Sequence, residues 1–258
     1  MYTPYKVPLI KAIKYFGKRL EQKRFPNPPI YIGGCGRSGT TLLLSIISSH
    51  PQVFAASKEL SMYGEHLVDR GEEPEPKRID RIYRTMLTDR IDSTCDRWCE
   101  KSPRNVRHIE DMDKYHQGRF KFLNIVRDGR DVILSKHPES PGTYWVDPDR
   151  WIYDVGAGWA FREHPCVYTL RYEDLILDFE NTVEKVCAFL EIEAGGEVLN
   201  WHEHTKVRKN KAYFGKVKNI FSSSVGKWKE PAHIGRAKEL LQYEEAKKLL
   251  EYYGYGLD

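Results

Sequence analysis

Apolar residues recur along this chain at two different spacings, and the alternation between them outlines a fold. Leu9, Ile13, Phe16 and Leu20 stand at helical intervals with lysines and an arginine between them, which predicts an amphipathic basic helix over 8–20, docked on the surface of a domain. The stretch from Phe25 to Pro29 holds three prolines and predicts an extended linker. Ile30 to Ile32 is a short apolar strand that runs into glycines, and Thr40 to Ser49 reads as a helix stopped at His50-Pro51. Residues 69–77 are charged and proline-containing, a solvated loop, and 79–87 returns to helical spacing. Phe120 to Val126 is a second strand followed at once by a helix over 128–135, and Cys166 to Leu170 is a third strand. Residues 139–159 mix glycines and prolines with aromatic side chains and read as irregular, with at most a short helix. Helices are predicted again over 182–190 and 235–253. Strands alternating with helices imply an α/β fold of three layers around a central parallel sheet.

With 258 residues and 40% hydrophobic composition, the chain reads as a single α/β domain over 30–258, preceded by the basic helix and linker of 1–29. A net charge of +4 from 41 basic and 37 acidic residues is a mixed surface, unlike the footprint of a nucleic-acid binder. The longest apolar run, near Thr41 to Ile47, is too short to span a bilayer, and the lysines near the N-terminus interrupt any secretory leader, so a cytoplasmic location is expected. The five cysteines are odd in number and show no framework spacing, which predicts free thiols. Cys95 with Cys99, and His202-Glu203-His204, lack partners at zinc-site spacing, and no metal site is expected. Tyr144, Trp145, Trp151, Tyr153 and Trp159 read as core rather than as the wall of an acceptor pocket, and the basic run from Lys206 to Lys218 as a solvated face.

The chemistry concentrates after the first strand. Gly34-Cys35-Gly36-Arg37-Ser38-Gly39-Thr40-Thr41 has the glycine spacing of a Walker A phosphate loop, with Thr40 where the lysine belongs. Glycines let successive amide groups point inward and the helix behind them adds its positive end, so the loop is a P-loop-type anion cradle. The lysine that reaches the β- and γ-phosphates of a nucleoside triphosphate is missing, which disfavours triphosphate hydrolysis. Arg37 supplies a cation within the loop itself. Further along, Arg127 ends the second strand and Ser135 lies eight residues on. Spacing alone leaves Arg127 open between a phosphate contact and an ion pair with Asp128 or Asp131.

GRSGTTLL at 36–43 resembles the 5′-phosphosulfate-binding loop of sulfotransferases, in the arginine-bearing form of the tyrosylprotein enzymes, and the HPQV that follows is similar to that branch and to bacterial members. IVRDGRDVILS at 125–135 resembles the family's 3′-phosphate motif, which implies phosphate contacts for Arg127 and Ser135. SSSVGKWK at 222–229 is similar to the loop that closes over the same phosphate, implicating Gly226 and Lys227, and RYEDL at 171–175 implies Tyr172 beside the adenine. The resemblance implies 3′-phosphoadenosine 5′-phosphosulfate as donor and adenosine 3′,5′-bisphosphate as product. Gly36, Arg37, Ser38, Gly39, Thr40 and Thr41 would hold the 5′-phosphosulfate. The acceptor would be a hydroxyl or amine of a carbohydrate, peptide or small molecule.

In-line transfer needs a base for the acceptor proton and positive charge on the departing oxygen. By resemblance to the tyrosylprotein and glycosaminoglycan enzymes, Glu59 is the base, with Glu65 and His66 as alternatives. Lys101, in Glu100-Lys101-Ser102-Pro103, resembles the lysine that reaches the reacting sulfuryl group, and Arg37 and Lys101 would together stabilise the leaving phosphate. The rival readings are a nucleoside triphosphate kinase or hydrolase on the same loop, and a non-catalytic nucleotide-binding module.

Overall fold

A computed structural model describes residues 6–63, 75–137, 140–207, 209–210, 215–216 and 222–257. Five parallel strands form the central sheet: β1 (Ile30–Gly33), β2 (Val53–Ala55), β3 (Arg97–Lys101), β4 (Lys121–Val126) and, after a small hairpin of β5 (Lys136–His137) and β6 (Ser140–Tyr144), β7 (Val167–Arg171). Their order is β2-β3-β1-β4-β7. The register sets Ile32 beside Lys101, Gly33 beside Asn124 and Val126 beside Arg171, so the carboxyl ends of four neighbouring strands open on one edge.

The helices are α1 (Lys6–Arg24), α2 (Thr40–Ile47), α3 (Asp80–Thr88), α4 (Ile109–His116), α5 (Gly129–Val132), α6 (Pro148–Trp159), α7 (Tyr172–Leu177), α8 (Phe179–Leu190), α9 (Gly196–Leu199), α10 (Trp201–His204), α11 (Ile234–Leu240) and α12 (Glu244–Tyr252). α2 is buried all round, from Thr40 to Ile47, between the sheet and α8 to α10, and is accordingly mostly apolar, with Leu42, Leu43, Leu44, Ile46 and Ile47 in the core. On the opposite face Tyr31, Trp98 and Phe122 of the strands pack with Ile82 and Tyr83 of α3 and Met112 of α4. α1 docks on α3 as expected of a surface helix, Gly17 lying so close to Tyr83 that a Cβ there would sit 2.2 Å from the Tyr83 Cβ. The carboxylate of Glu21 accepts from Trp98 Nε1 at 2.8 Å and Tyr83 Oη at 3.0 Å, while Leu9 and Phe16 remain exposed.

Three sequence expectations differ from the structure. α5 is a single turn ending at Val132, so Ser135 falls beyond it and not two turns into a helix. The stretch read as irregular contains the twelve-residue α6, started by Asp147, whose side chain accepts from the Arg150 amide at 2.8 Å, with Pro148 in the first turn. The predicted helix over 235–253 is two helices, α11 and α12, separated by Leu241 to Tyr243. β2 and β3 are additions that periodicity did not signal. The five cysteines are buried and free, and no helix among the described residues is long and apolar enough to cross a membrane.

Two properties of this framework can be measured. His116 is half-buried among Tyr31, Tyr115 and Phe120, with its Nε2 2.8 Å from Tyr31 Oη, and desolvation of the ring drives its pKa from 6.5 down to about 3. The unfolded chain takes up a proton below pH 6.5 that the folded chain refuses until about pH 3, so stability is lost as pH falls through that window. His116→Gln, which cannot charge, is expected to lose less thermal stability than the natural chain between about pH 7 and pH 5; equal losses contradict the assignment. Gly39 has φ +95°, and a Cβ there would stand 2.5 Å from the Tyr172 ring. Gly39→Ala is expected to cost about 1–3 kcal/mol in urea unfolding.

Candidate functional site

The loop from Gly34 to Gly39 joins β1 to α2 over the carboxyl edge of the sheet. Gly34, at φ +142°, passes so close to β4 that a Cβ would lie 2.3 Å from the Ile125 carbonyl oxygen, and its amide donates to Pro103 at 3.0 Å. Arg37 holds φ +72°, a left-handed conformation that costs a residue with a Cβ and is commonest at binding sites. The first amides of α2 have no partner inside the helix and add its positive end to the loop. Ser38 Oγ and Arg37 Nε are buried without a hydrogen-bonding partner among the described residues. Burial, and then the neighbouring Arg127, lower the pKa of Arg37.

Arg127, at the end of β4, is held from several sides. Its Nη1 donates to the Arg37 carbonyl at 3.1 Å, its Nη2 to the Ser224 carbonyl at 2.5 Å, and its guanidinium lies 4.5 Å from the centre of the Tyr172 ring. Tyr172 opens α7 directly after β7 and its hydroxyl meets Ser224 Oγ at 2.8 Å. Arg37, Arg127 and Tyr172, three sequence candidates from three strand ends, are thus in one connected group. Arg127 Nε is buried without a hydrogen-bonding partner among the described residues, and Arg127 Nη2 stands 4.0 Å from Asp131 Oδ2.

Asp131 is a residue that the sequence reading weighed only as an ion-pair partner. Its two oxygens accept from the amides of Gly226 at 2.8 Å and Trp228 at 2.9 Å, which moors the segment 222–229 over the start of α5. Arg130, bound to Asp128, lies 3.7 Å over the Trp228 ring and seals the same junction. The pattern RDGRD followed by a GKW segment could have suggested this docking, but nothing in it tells which acid accepts. Gly226, at φ +72°, is therefore part of the assembly through its backbone, and Lys227 is exposed. Ser135 is half-buried, and its carbonyl accepts from the Trp145 amide at 2.8 Å; among the described residues the link from α5 to Arg127 runs through Asp131 instead.

The other end of the site is built by β3. Lys101 is its last residue and is 2% exposed. Its Nζ donates to Thr41 Oγ1 at 3.1 Å and to Glu59 Oε1 at 2.5 Å. A cation absent from the loop sequence at Thr40 is thereby delivered next to the loop from a neighbouring strand. Glu59 lies in the chain after β2, with its side chain half exposed, and reaches back over the strand end. Glu65 and His66 lie outside the described residues.

Of the aromatic set, Trp151 is fully buried and its Nε1 donates to the Arg127 carbonyl at 3.2 Å, whereas Tyr153 and Tyr144 are exposed. Trp145 and Arg150 line the loop at Gly36, where a Cβ would meet Arg150 Nη2 at 3.0 Å and Trp145 Nε1 at 3.5 Å. No group of three or more histidine, cysteine or carboxylate residues able to hold a metal ion occurs among the described residues.

Comparison with known proteins follows the same outline. An uncharacterized protein of Aquifex aeolicus is 26% identical over 264 residues, covering 90% of this chain and 34% of its own, and Sulfotransferase 2A6 of Rattus norvegicus is 28% identical over 113 residues, covering 35% of this chain and 40% of its own. The chain therefore spans about a third of the first and two-fifths of the second. Among solved structures, the sulfotransferase domain of the Synechococcus PCC 7002 olefin synthase superposes with a TM-score of 0.65 at 18% identity, covering 91% of this chain and 97% of its own. Mouse sulfotransferase SULT7A1, complexed with PAP, gives 0.52 at 16%, with 89% of each chain covered. At such identities the likeness is one of fold, and it confirms the expected α/β architecture. Residues 28–195, from the linker before β1 through α8, match the profile of the Sulfotransferase family, and the chain belongs to it.

Proposed function

We propose that this protein transfers a sulfuryl group from 3′-phosphoadenosine 5′-phosphosulfate to a hydroxyl or amine of a carbohydrate, peptide or small-molecule acceptor, by in-line displacement with Glu59 as base. The observation that carries this reading is a concentration of positive charge with unused donors: Arg37 Nε, Ser38 Oγ and Arg127 Nε are all buried and, among the described residues, unpartnered around one loop. Buried polar groups are normally satisfied, so such a cluster fits an anionic ligand. Two arginines close enough to lower the pKa of one of them reinforce the point.

The loop amides from Gly36 to Thr41, with the Arg37 guanidinium, fit the 5′-phosphosulfate. Arg127 fits the 3′-phosphate, aided by Ser135 and by Gly226 and Lys227 of the segment moored on Asp131, and Tyr172 fits the side of the adenine. When bound, the donor supplies an activated sulfuryl group on its 5′-phosphate. Glu59 takes the proton of the attacking hydroxyl or amine. Lys101, which already touches both Thr41 and Glu59, has one charge within reach of the loop and of the base, and with Arg37 it offsets charge on the departing oxygen. These roles need no metal ion.

Transfer of radiolabelled sulfate to a panel of phenolic, sugar and peptide acceptors tests the reading. Arg37→Ala is expected to lower turnover by about 100-fold or more, as removal of a transition-state donor does; near-normal turnover would sink its role. Arg127→Ala is expected to weaken adenosine 3′,5′-bisphosphate binding about 10- to 100-fold, the worth of a charged hydrogen bond, while leaving adenosine 5′-monophosphate binding nearly unchanged. An equal effect on both nucleotides contradicts the assignment of Arg127 to the 3′-phosphate.

A further inference from the structure

Glu100 precedes Lys101 in β3 and has no place in the scheme above. It is wholly buried, and it faces away from its neighbour's partners, as alternate residues of a strand must. Its Oε1 accepts from the Leu60 amide at 2.9 Å and from Ser102 Oγ at 2.5 Å, and its Oε2 from Asn105 Nδ2 at 2.6 Å. Ser102 Oγ in turn accepts from the Ser61 amide at 3.0 Å. Two consecutive amides directly after Glu59 are therefore fastened to one buried carboxylate and its serine. From the other side Arg81 Nη1 donates to the Leu60 carbonyl at 2.5 Å. Ser61 is held at φ +46°, a strained conformation that persists only where the surroundings over-determine it.

A buried carboxylate is costly unless its lone pairs are filled, and a residue serving only to close the core at this point would be better apolar. Burial raises the Glu100 pKa, and the bonds from Asn105, Ser102 and Leu60 oppose that rise. All three partners donate, so the arrangement calls for an acceptor on both oxygens. Glutamine has the same shape but would turn an NH2 group either towards Leu60 and Ser102 or towards Asn105. Asn105 cannot flip freely to receive it, because its Nδ2 also faces the Ile32 carbonyl at 3.3 Å.

We propose that Glu100 is a positioning residue for the transfer reaction: it fixes the Leu60–Ser61 backbone and thereby holds the Glu59 carboxylate opposite Lys101. The inference rests on the reading of Glu59 as the base. Glu100 touches neither donor nor acceptor and acts through Glu59 alone.

The test is a double-mutant cycle on hydrolysis of the sulfate-labelled donor with water as acceptor. The water oxygen bonds to sulfur, its proton goes to Glu59, the bridging S–O bond breaks and its electron pair leaves on the 5′-phosphate, giving sulfate and the bisphosphate. Glu100→Gln is expected to lower the single-turnover rate about 10- to 100-fold, the usual effect of a misplacement near 1 Å, with bisphosphate affinity unchanged within about threefold. In a Glu59→Gln background the same substitution should change the rate by less than about twofold, because its effect passes through the group already removed. Ser102→Ala, a smaller change in the same cluster, should show the same dependence on Glu59 should Glu100→Gln fold poorly. Equal losses in both backgrounds, or no loss in either, overturn the positioning role while leaving the functional reading intact. A natural chain that neither binds the bisphosphate nor releases sulfate overturns the functional reading, and the positioning role with it.

Discussion

The structure depends on one constraint, the parallel pairing of β1 between β3 and β4. It brings the carboxyl ends of β3, β1, β4 and β7 to a single edge in that order. Lys101, the glycine-rich loop, Arg127 and Tyr172 follow one another across that edge because the strands do. In open α/β sheets ligands bind in the crevice outside the carboxyl ends of the strands. The close passage of Gly34 over the Ile125 carbonyl is what lets the loop turn down onto β4 and bring Arg37 within bonding distance of Arg127.

The charges at this edge are organised asymmetrically. Arg127 is oriented mainly by carbonyl oxygens and an aromatic face, groups that hold a guanidinium without cancelling its charge. Asp131, the acid nearby, is occupied by two backbone amides. Positive potential is consequently left over beside Arg37 and Arg127, while at the other end Lys101 faces a half-exposed carboxylate. Such a gradient, from uncompensated cations to a cation and acid in contact, suits a reaction in which an anionic donor is held at one end and a proton is removed at the other.

The glycine-rich loop was legible in the sequence because glycines at Gly34 and Gly39 are demanded by backbone geometry, and geometry of that kind leaves a residue signature. β3 was not legible. Arg97, Glu100 and Lys101 make RWCEK look like a solvated loop, yet all five residues are buried. Each charge there is tolerated through partners distant in sequence, Leu190 for Arg97, Leu60 for Glu100 and Thr41 for Lys101. α6 was hidden by its two glycines and its aromatic density, although Asp147-Pro148 gave a start signal. Arg127 could be placed at a strand end from periodicity, but its company with Arg37, Tyr172 and Ser224 is a property of strand order, which local pattern does not encode.

The central claim is that this edge of the sheet binds a nucleotide bearing a 3′-phosphate and a single 5′-phosphate. Calorimetric titration of the protein with adenosine 3′,5′-bisphosphate, in parallel with ATP and magnesium, tests it most directly. The account predicts tight binding of the bisphosphate, indifferent to magnesium, and weak binding of the triphosphate. Preference for magnesium ATP would contradict it and assign the loop to triphosphate chemistry.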